Sequence, residues 1–183
     1  MNTVNVSQKL RQSWMELENL DKASLQNAAS VLVLHDLSNN SLILTQRSLH
    51  LKHHPGEICF PGGRWQKGDS SLLDTALREL QEELNIAASR IKSPRMMKPE
   101  LTLTGFLIYP WFAEIESLIP YTPDPNEVLD VLNLPLRDVK KRSHYQEMIV
   151  SRGGIKVKTW KFTVSNHFIW GATARIMKQL CEN

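Results

Sequence analysis

The chain has 183 residues, 42% hydrophobic and 22% charged, with a formal net charge of +3. That length supports one domain with a sizeable core, and no apolar run approaches the ~20 residues of a membrane span. There is no dense Lys/Arg block to call for a nucleic acid, and the two cysteines, Cys59 and Cys181, make neither a disulfide framework nor a zinc spacing.

In chain order, the N-terminal stretch carries Glu16 and Glu18 and has no unbroken apolar run, which fits neither a secretory signal nor a transit peptide. With only two cysteines, far apart in sequence, a reducing, cytoplasmic setting is the expectation. Leu10, Trp14, Leu17 and Leu20 recur at helical spacing and predict a helix within Val6 to Leu25. The chain then divides into a helical extension, 1–27, and a main domain, 28–183. Ser30 to His35 and Ser41 to Arg47 are β-rich runs around Asp36 to Asn40, the pattern of a hairpin. Glu57 to Phe60 predicts a short strand ended by Pro61, Gly62 and Gly63.

A helix is expected from about Ser70 to Leu84, with Asp69 or Ser70 as cap and Leu73, Leu77, Leu80 and Leu84 as its apolar stripe. Asp74 and Arg78, then Arg78 and Glu82, have the four-residue spacing of helical ion pairs. Further strands are expected over Thr102 to Ile108, Ala113 to Leu118 and Val128 to Leu132. A hairpin is expected from Tyr145 to Ser151 and Lys156 to Val164, and a last helix from Gly171 to Leu180. Strands and helices mixed in this way predict an α+β or α/β sandwich around a mixed sheet.

Glu79, Glu82 and Glu83 stand at i, i+3 and i+4 of the central helix, so their carboxylates share one face. Ionised together they repel. A solvated helix face tolerates that, whereas Mg²⁺ or Mn²⁺, which favour carboxylate and water oxygens and bridge to phosphates, would turn the repulsion into ligation. Gly62 and Gly63 lie just ahead of the helix, where bare backbone can approach a metal or phosphate, although a tight turn would use the same residues. Arg78 is placed to hold a carboxylate with its planar fork.

The run from Gly63 through Asp69 to Arg78-Glu79-Leu80-Gln81-Glu82-Glu83-Leu84-Asn85-Ile86 resembles the Nudix box, G-x5-E-x7-R-E-U-x-E-E-x-G-U with U aliphatic. Asp69 stands for the first glutamate, the following spacer has eight residues, and Asn85 replaces the last glycine. Asn tolerates a left-handed backbone, so the helix stop can survive. Leu44 to Ser48 and Leu51 to Gly63 resemble the additional signature of the coenzyme A pyrophosphatase branch. That branch shares the longer spacer and the Asp, and its V-W-G-x-T-A segment is matched by Phe168 to Ala174. Lys52, Ile58 and Gln66 depart from the branch pattern.

The resemblance implies a Nudix α/β/α sandwich with a mixed β-sheet. It also implies metal-dependent hydrolysis of the pyrophosphate of coenzyme A or its thioesters to 3′,5′-ADP and 4′-phosphopantetheine. Glu79, Glu82 and Glu83 would hold Mg²⁺ or Mn²⁺, and the Gly63 backbone would complete the cage and meet substrate. Glu82 or Glu127 would be the general base, with Arg78 supporting them in the catalytic group. Arg47 and Lys52 are candidates for the substrate's phosphates, Arg47 the better because a guanidinium can form two parallel bonds; the plain alternative is that both are surface cations. His54 is expected to order its loop, Cys59 to pack, and Trp65, Trp111 and Trp170 to line core or pocket. The expected partner is a small molecule, not nucleic acid or membrane, and a homodimer is left open. Two other readings stay open: a Nudix pyrophosphatase for another nucleoside diphosphate derivative such as ADP-ribose, and a catalytically silent binding module of the same fold.

Overall fold

The computed structural model describes residues 28–102, 105–152 and 155–181. The helix expected in Val6 to Leu25, and with it the 1–27 extension, lies outside the described residues.

The centre of the molecule is the pair β1 (Ala28–Asp36) and β2 (Ser41–Arg47), antiparallel around the expected turn. β7 (Leu107–Ile115) runs parallel along the whole of β1, from Ala28↔Leu107 to Asp36↔Ile115. β8 (Val128–Pro135) runs antiparallel along the whole of β2. With those outer edges taken, the inner edges of β1 and β2 pair with each other only at their near ends, Leu34↔Ile43 to Asp36↔Ser41. Beyond that point the two strands diverge. The fork is filled by β3 (Ile58–Cys59), paired to β2, and β4 (Gly62–Arg64), paired to β1. Pro61, between them, accepts from the Leu32 amide at 2.8 Å. The Pro-Gly-Gly segment expected only to end a strand thus continues into a second one. Gly62 is needed there: its φ is +145°, and a Cβ would lie 2.3 Å from the Ser30 carbonyl oxygen.

β5 (Lys92–Met96) and β6 (Glu100–Leu101) share the outer edge of β7. Two separate strands were expected across Thr102 to Leu118, yet Leu107–Ile115 is continuous through Pro110. The proline falls between the β6 pairing at Ile108 and the β5 pairing at Trp111, where the outer edge changes partner and a ladder donor is not required. β5 itself was not foreseen; its polar KSPRM sequence is that of an exposed edge.

Alternation along the strands sorts the core into two faces. Leu32, Leu34 and Ile43 pack with Ala76, Leu80 and Leu84 of helix α1 (Leu72–Leu84). Val33, Leu42 and Leu44 pack on the opposite face with Ile176, Met177 and Leu180 of and beside helix α3 (Gly171–Gln179). That second face also receives helix α2 (Leu136–Val139) and a smaller antiparallel sheet of β9 (Tyr145–Arg152), β10 (Ile155–Phe162) and β11 (Ile169–Trp170). The result is the expected mixed α+β sandwich, with a helix on either face of a mixed sheet.

Candidate active site on helix α1

Helix α1 starts two residues later than expected. Its N-cap is Ser71, not Asp69 or Ser70: the Ser71 side chain accepts from the Asp74 amide at 3.1 Å, and Ser71 is extended, as a cap should be. It stops at Asn85, whose φ of 55° closes the helix with an amide bond to the Gln81 carbonyl, so asparagine does serve as the left-handed cap. The buried face is Leu72, Ala76, Leu80 and Leu84 together with Thr75, Glu79 and Glu83. Leu73 and Leu77 are only half-buried, because two glutamates take part of the stripe expected for leucines.

Burying those acids has a cost that the surroundings must offset. Glu79 is 9% and Glu83 3% exposed. One oxygen of each of Glu79, Glu83 and Glu127 lies within 4.8 Å of the others. Glu127 arrives from the loop that leads into β8 by a specific route. The Thr122 amide donates to the Leu84 carbonyl at 2.9 Å and the Asp124 amide to the Glu83 carbonyl at 3.0 Å, satisfying two orphan carbonyls at the end of α1. The same loop then turns, with the Glu127 amide on Asp124, and its carbonyl accepts from Ser48. Capping the helix and delivering the third carboxylate are one arrangement.

Glu82 is placed differently from its neighbours. Its side chain is 47% exposed and lies outside the group formed by Glu79, Glu83 and Glu127; one oxygen accepts from Arg78 Nη1 at 2.8 Å. Arg78 is the hub beside the carboxylates. Its Nε and Nη2 reach Asp69 at 2.9 and 3.1 Å, its Nη1 also reaches Glu79 at 2.9 Å, and Nη2 meets the Arg64 carbonyl at 3.2 Å. Of the two helical ion pairs expected for Arg78, the one with Glu82 forms, and Asp69 takes the bidentate bond, whereas Asp74 is not among its partners in the described residues. The Arg78 guanidinium, ahead of other causes, holds the Asp69 carboxyl below the usual carboxylate range. Thr75 Oγ1 and the Gln66 amide add two further bonds to Asp69.

Gly63 touches the cluster with its backbone. A Cβ there would lie 2.3 Å from Glu79 Cδ and 2.4 to 2.5 Å from its oxygens. Arg47 lies on the same face of β2 as Ile43, hence toward α1. Its charge acts on Glu83, and its Nε donates to the His53 carbonyl at 3.4 Å. Cys59, opposite Thr45 in register, is a member of this polar face and not only a packing residue; burial, then the Glu83 charge, pushes its thiol up to about 11. The parity of β2 and β3 was the signal for it, but it requires the register, which the sequence does not state. Lys52 is exposed on the loop between β2 and β3, and His54 there pairs with Glu57 at 2.9 Å. Trp65 and Trp111 pack against the core clusters on the α1 side of the sheet.

Burial, followed by the Glu79 charge, pushes the Glu83 carboxyl up to about 8, against Arg47 and the Gly62 amide, which lower it. Burial likewise raises Glu79. Oε2 of Glu83 is buried without a hydrogen-bond partner. Three carboxylates around an orphan oxygen, beside open backbone, are a donor set that suits a hard divalent cation. Without metal, the folded chain holds a proton on Glu83 between its ordinary value of 4.5 and about 8, which the unfolded chain has released. That contribution to stability is full below 4.5 and is lost as pH rises through about 8. The metal-free protein should therefore lose melting temperature between about pH 4.5 and about pH 8, and Glu83→Gln should flatten that slope. Calorimetry in chelator checks it; an identical slope in the variant would show that Glu83 is not the group responsible.

The NUDIX domain family matches residues 24–149. Among curated proteins, an uncharacterized Nudix hydrolase NudL of Yersinia enterocolitica is 32% identical over 87% of this chain and 82% of its own length. A protein of the same name from Salmonella paratyphi B is 34% identical over 76% of this chain and 72% of its own. Among solved structures, the Deinococcus radiodurans protein DR0079 aligns with a TM-score of 0.56 at 17% identity, covering 87% of each chain. A MutT/nudix family protein from Enterococcus faecalis aligns at 0.54 and 17% identity, over 96% of this chain and 68% of that one. These two likenesses concern the fold.

Proposed function

Since this chain belongs to the Nudix hydrolase family, we propose that it hydrolyses the pyrophosphate of coenzyme A or its thioesters, with Glu79, Glu83 and Glu127 as ligands of Mg²⁺ or Mn²⁺. The observation that carries the metal site is the buried, partnerless Glu83 oxygen within the three-carboxylate cluster. The substrate rests on the signature from Leu44 to Gly63 and its place in the fold: Arg47 and β3–β4, the core of that signature, border the cluster.

When bound, the cation would neutralise diphosphate charge and lower the pKa of a water. The chain's residues do the rest. Arg78 orients Glu79 and Glu82 through charge-assisted bonds. Glu82, exposed beside the cluster with one oxygen on Arg78, is the better placed general base, and Glu127 the better placed ligand. The water oxygen bonds to one phosphorus, its proton passes to the base, and the bridging P–O bond breaks to give 3′,5′-ADP and 4′-phosphopantetheine. Arg47 and Gly63 meet the diphosphate, with Lys52 at the rim.

Comparing kcat/KM for coenzyme A and ADP-ribose under identical Mg²⁺ tests the substrate; a higher value for ADP-ribose would sink the coenzyme A reading and leave the family intact. For Arg47, replacement by alanine should cost about 2 kcal/mol or more in kcat/KM, and by lysine should raise KM through loss of the two-pronged contact. An unchanged kcat/KM in folded Arg47→Ala protein would rule out phosphate binding there.

A further inference from the structure

Phe168 is 59% exposed but stands on a fixed support. Its ring stacks on Trp170, with centroids 6.0 Å and planes 22° apart. Ile169, between them, is fully buried in the core on the α3 face, so strand alternation turns the flanking rings away from that core. β11 is tied to β10 by Lys161↔Trp170 and Phe162↔Ile169. On its other side, Thr173 Oγ1 donates to the Ile58 carbonyl at 3.1 Å and fixes the start of α3 against β3. The next residue of β3 is Cys59, which pairs with Thr45 of β2 and feels the Glu83 charge. The aromatic pair therefore borders the strand that borders the carboxylates.

Single apolar residues on a surface need no explanation. A stacked pair held from two sides, beside a site built for an anionic ligand, is a different case. Among the described residues, Phe106, Phe112 and Trp160 each have a cationic side chain over the ring, and Phe168 has none.

We propose that Phe168, backed by Trp170, is the platform on which the adenine base of the substrate stacks. This deepens the proposed function and rests on the site taking a nucleoside diphosphate compound. The carboxylates and Arg47 can grip only the diphosphate, which all such compounds share; the base must be recognised by a surface with a π-face. Stacking on one aromatic side chain is worth about tenfold or more in affinity.

The test is calorimetric binding to the full chain, without turnover, of 3′,5′-ADP, ADP and 4′-phosphopantetheine. Phe168→Ala should weaken both adenine ligands about tenfold and leave phosphopantetheine unchanged, and Phe168→Trp should restore them. Unchanged adenine affinity overturns the proposal, as does a wild-type protein that binds neither adenine ligand, or an equal loss for all three ligands. Selective loss of phosphopantetheine overturns it too, by assigning the platform to the other half of coenzyme A. Because ADP is not a coenzyme A fragment of that reaction, failure of the coenzyme A reading would leave its arm intact and is distinguishable.

Discussion

Glu83→Gln should yield a folded protein whose coenzyme A hydrolysis is lower by about two orders of magnitude or more. The amide has the shape of the carboxyl, and burial already favours the uncharged form of Glu83 when no metal is present. The metal-free fold therefore has little to lose. What disappears is a negative oxygen that has no partner inside the protein. Circular dichroism should match wild type, while the rise in melting temperature on adding Mg²⁺ should shrink with the rate. A folded variant with normal turnover would remove Glu83 from the metal site.

Gly63→Ala should act on the same site from the opposite side and with comparable force. The added methyl carbon would lie 2.3 Å from Glu79 Cδ, far inside contact. The group it meets is the end of a side chain, so the expected response is displacement of the Glu79 carboxylate and not collapse of the sheet. A shift of about 1 Å in a reacting group can cost about 100-fold in rate, whereas the overpacking should cost about 1–3 kcal/mol of stability. Gly62→Ala is the contrast: its Cβ meets backbone at Ser30 and its φ is left-handed, so folding should suffer first. Activity and chemical denaturation measured on both variants separate the two cases. If Gly63→Ala keeps wild-type kcat/KM, the close approach of this backbone to the cluster has no catalytic weight.

The parts of the molecule that were legible in the sequence are those governed by local patterning. β1 and β2 are near-continuous apolar runs around a turn, as strands buried on both faces should be, and α1 announces itself through its leucines and its acids. Asn85 was readable as a helix stop because few residues other than glycine accept its backbone. The choice among neighbouring serines and Asp69 for the N-cap was not readable, since all three can cap and tertiary contacts decide. Asp69 is taken by Arg78 and Thr75, leaving Ser71 to the helix. Glu82 and Glu83 are adjacent in sequence and alike in composition, yet one faces solvent and the other the core. The helix phase alone ranks them closely, and the sheet beneath decides. β4 and β5 were hidden because their residues, Gly-Gly-Arg and Lys-Ser-Pro-Arg-Met, lack strand character and pair only because a fork and an edge await them. The contribution of Glu127 depends on a loop whose path is set by the end of α1, which no window of sequence contains.

That loop has a thermodynamic implication. Thr122 and Asp124 give their amides to the last turn of α1, so opening the loop also strips the helix of its terminal acceptor partners. The third carboxylate is consequently not on a freely opening flap. It belongs to the same cooperative unit as Glu79 and Glu83, and the amide hydrogens of Thr122 and Asp124 should exchange with solvent as slowly as those inside the helix. The proposed ligand set is assembled by folding, and a divalent cation would find it already gathered.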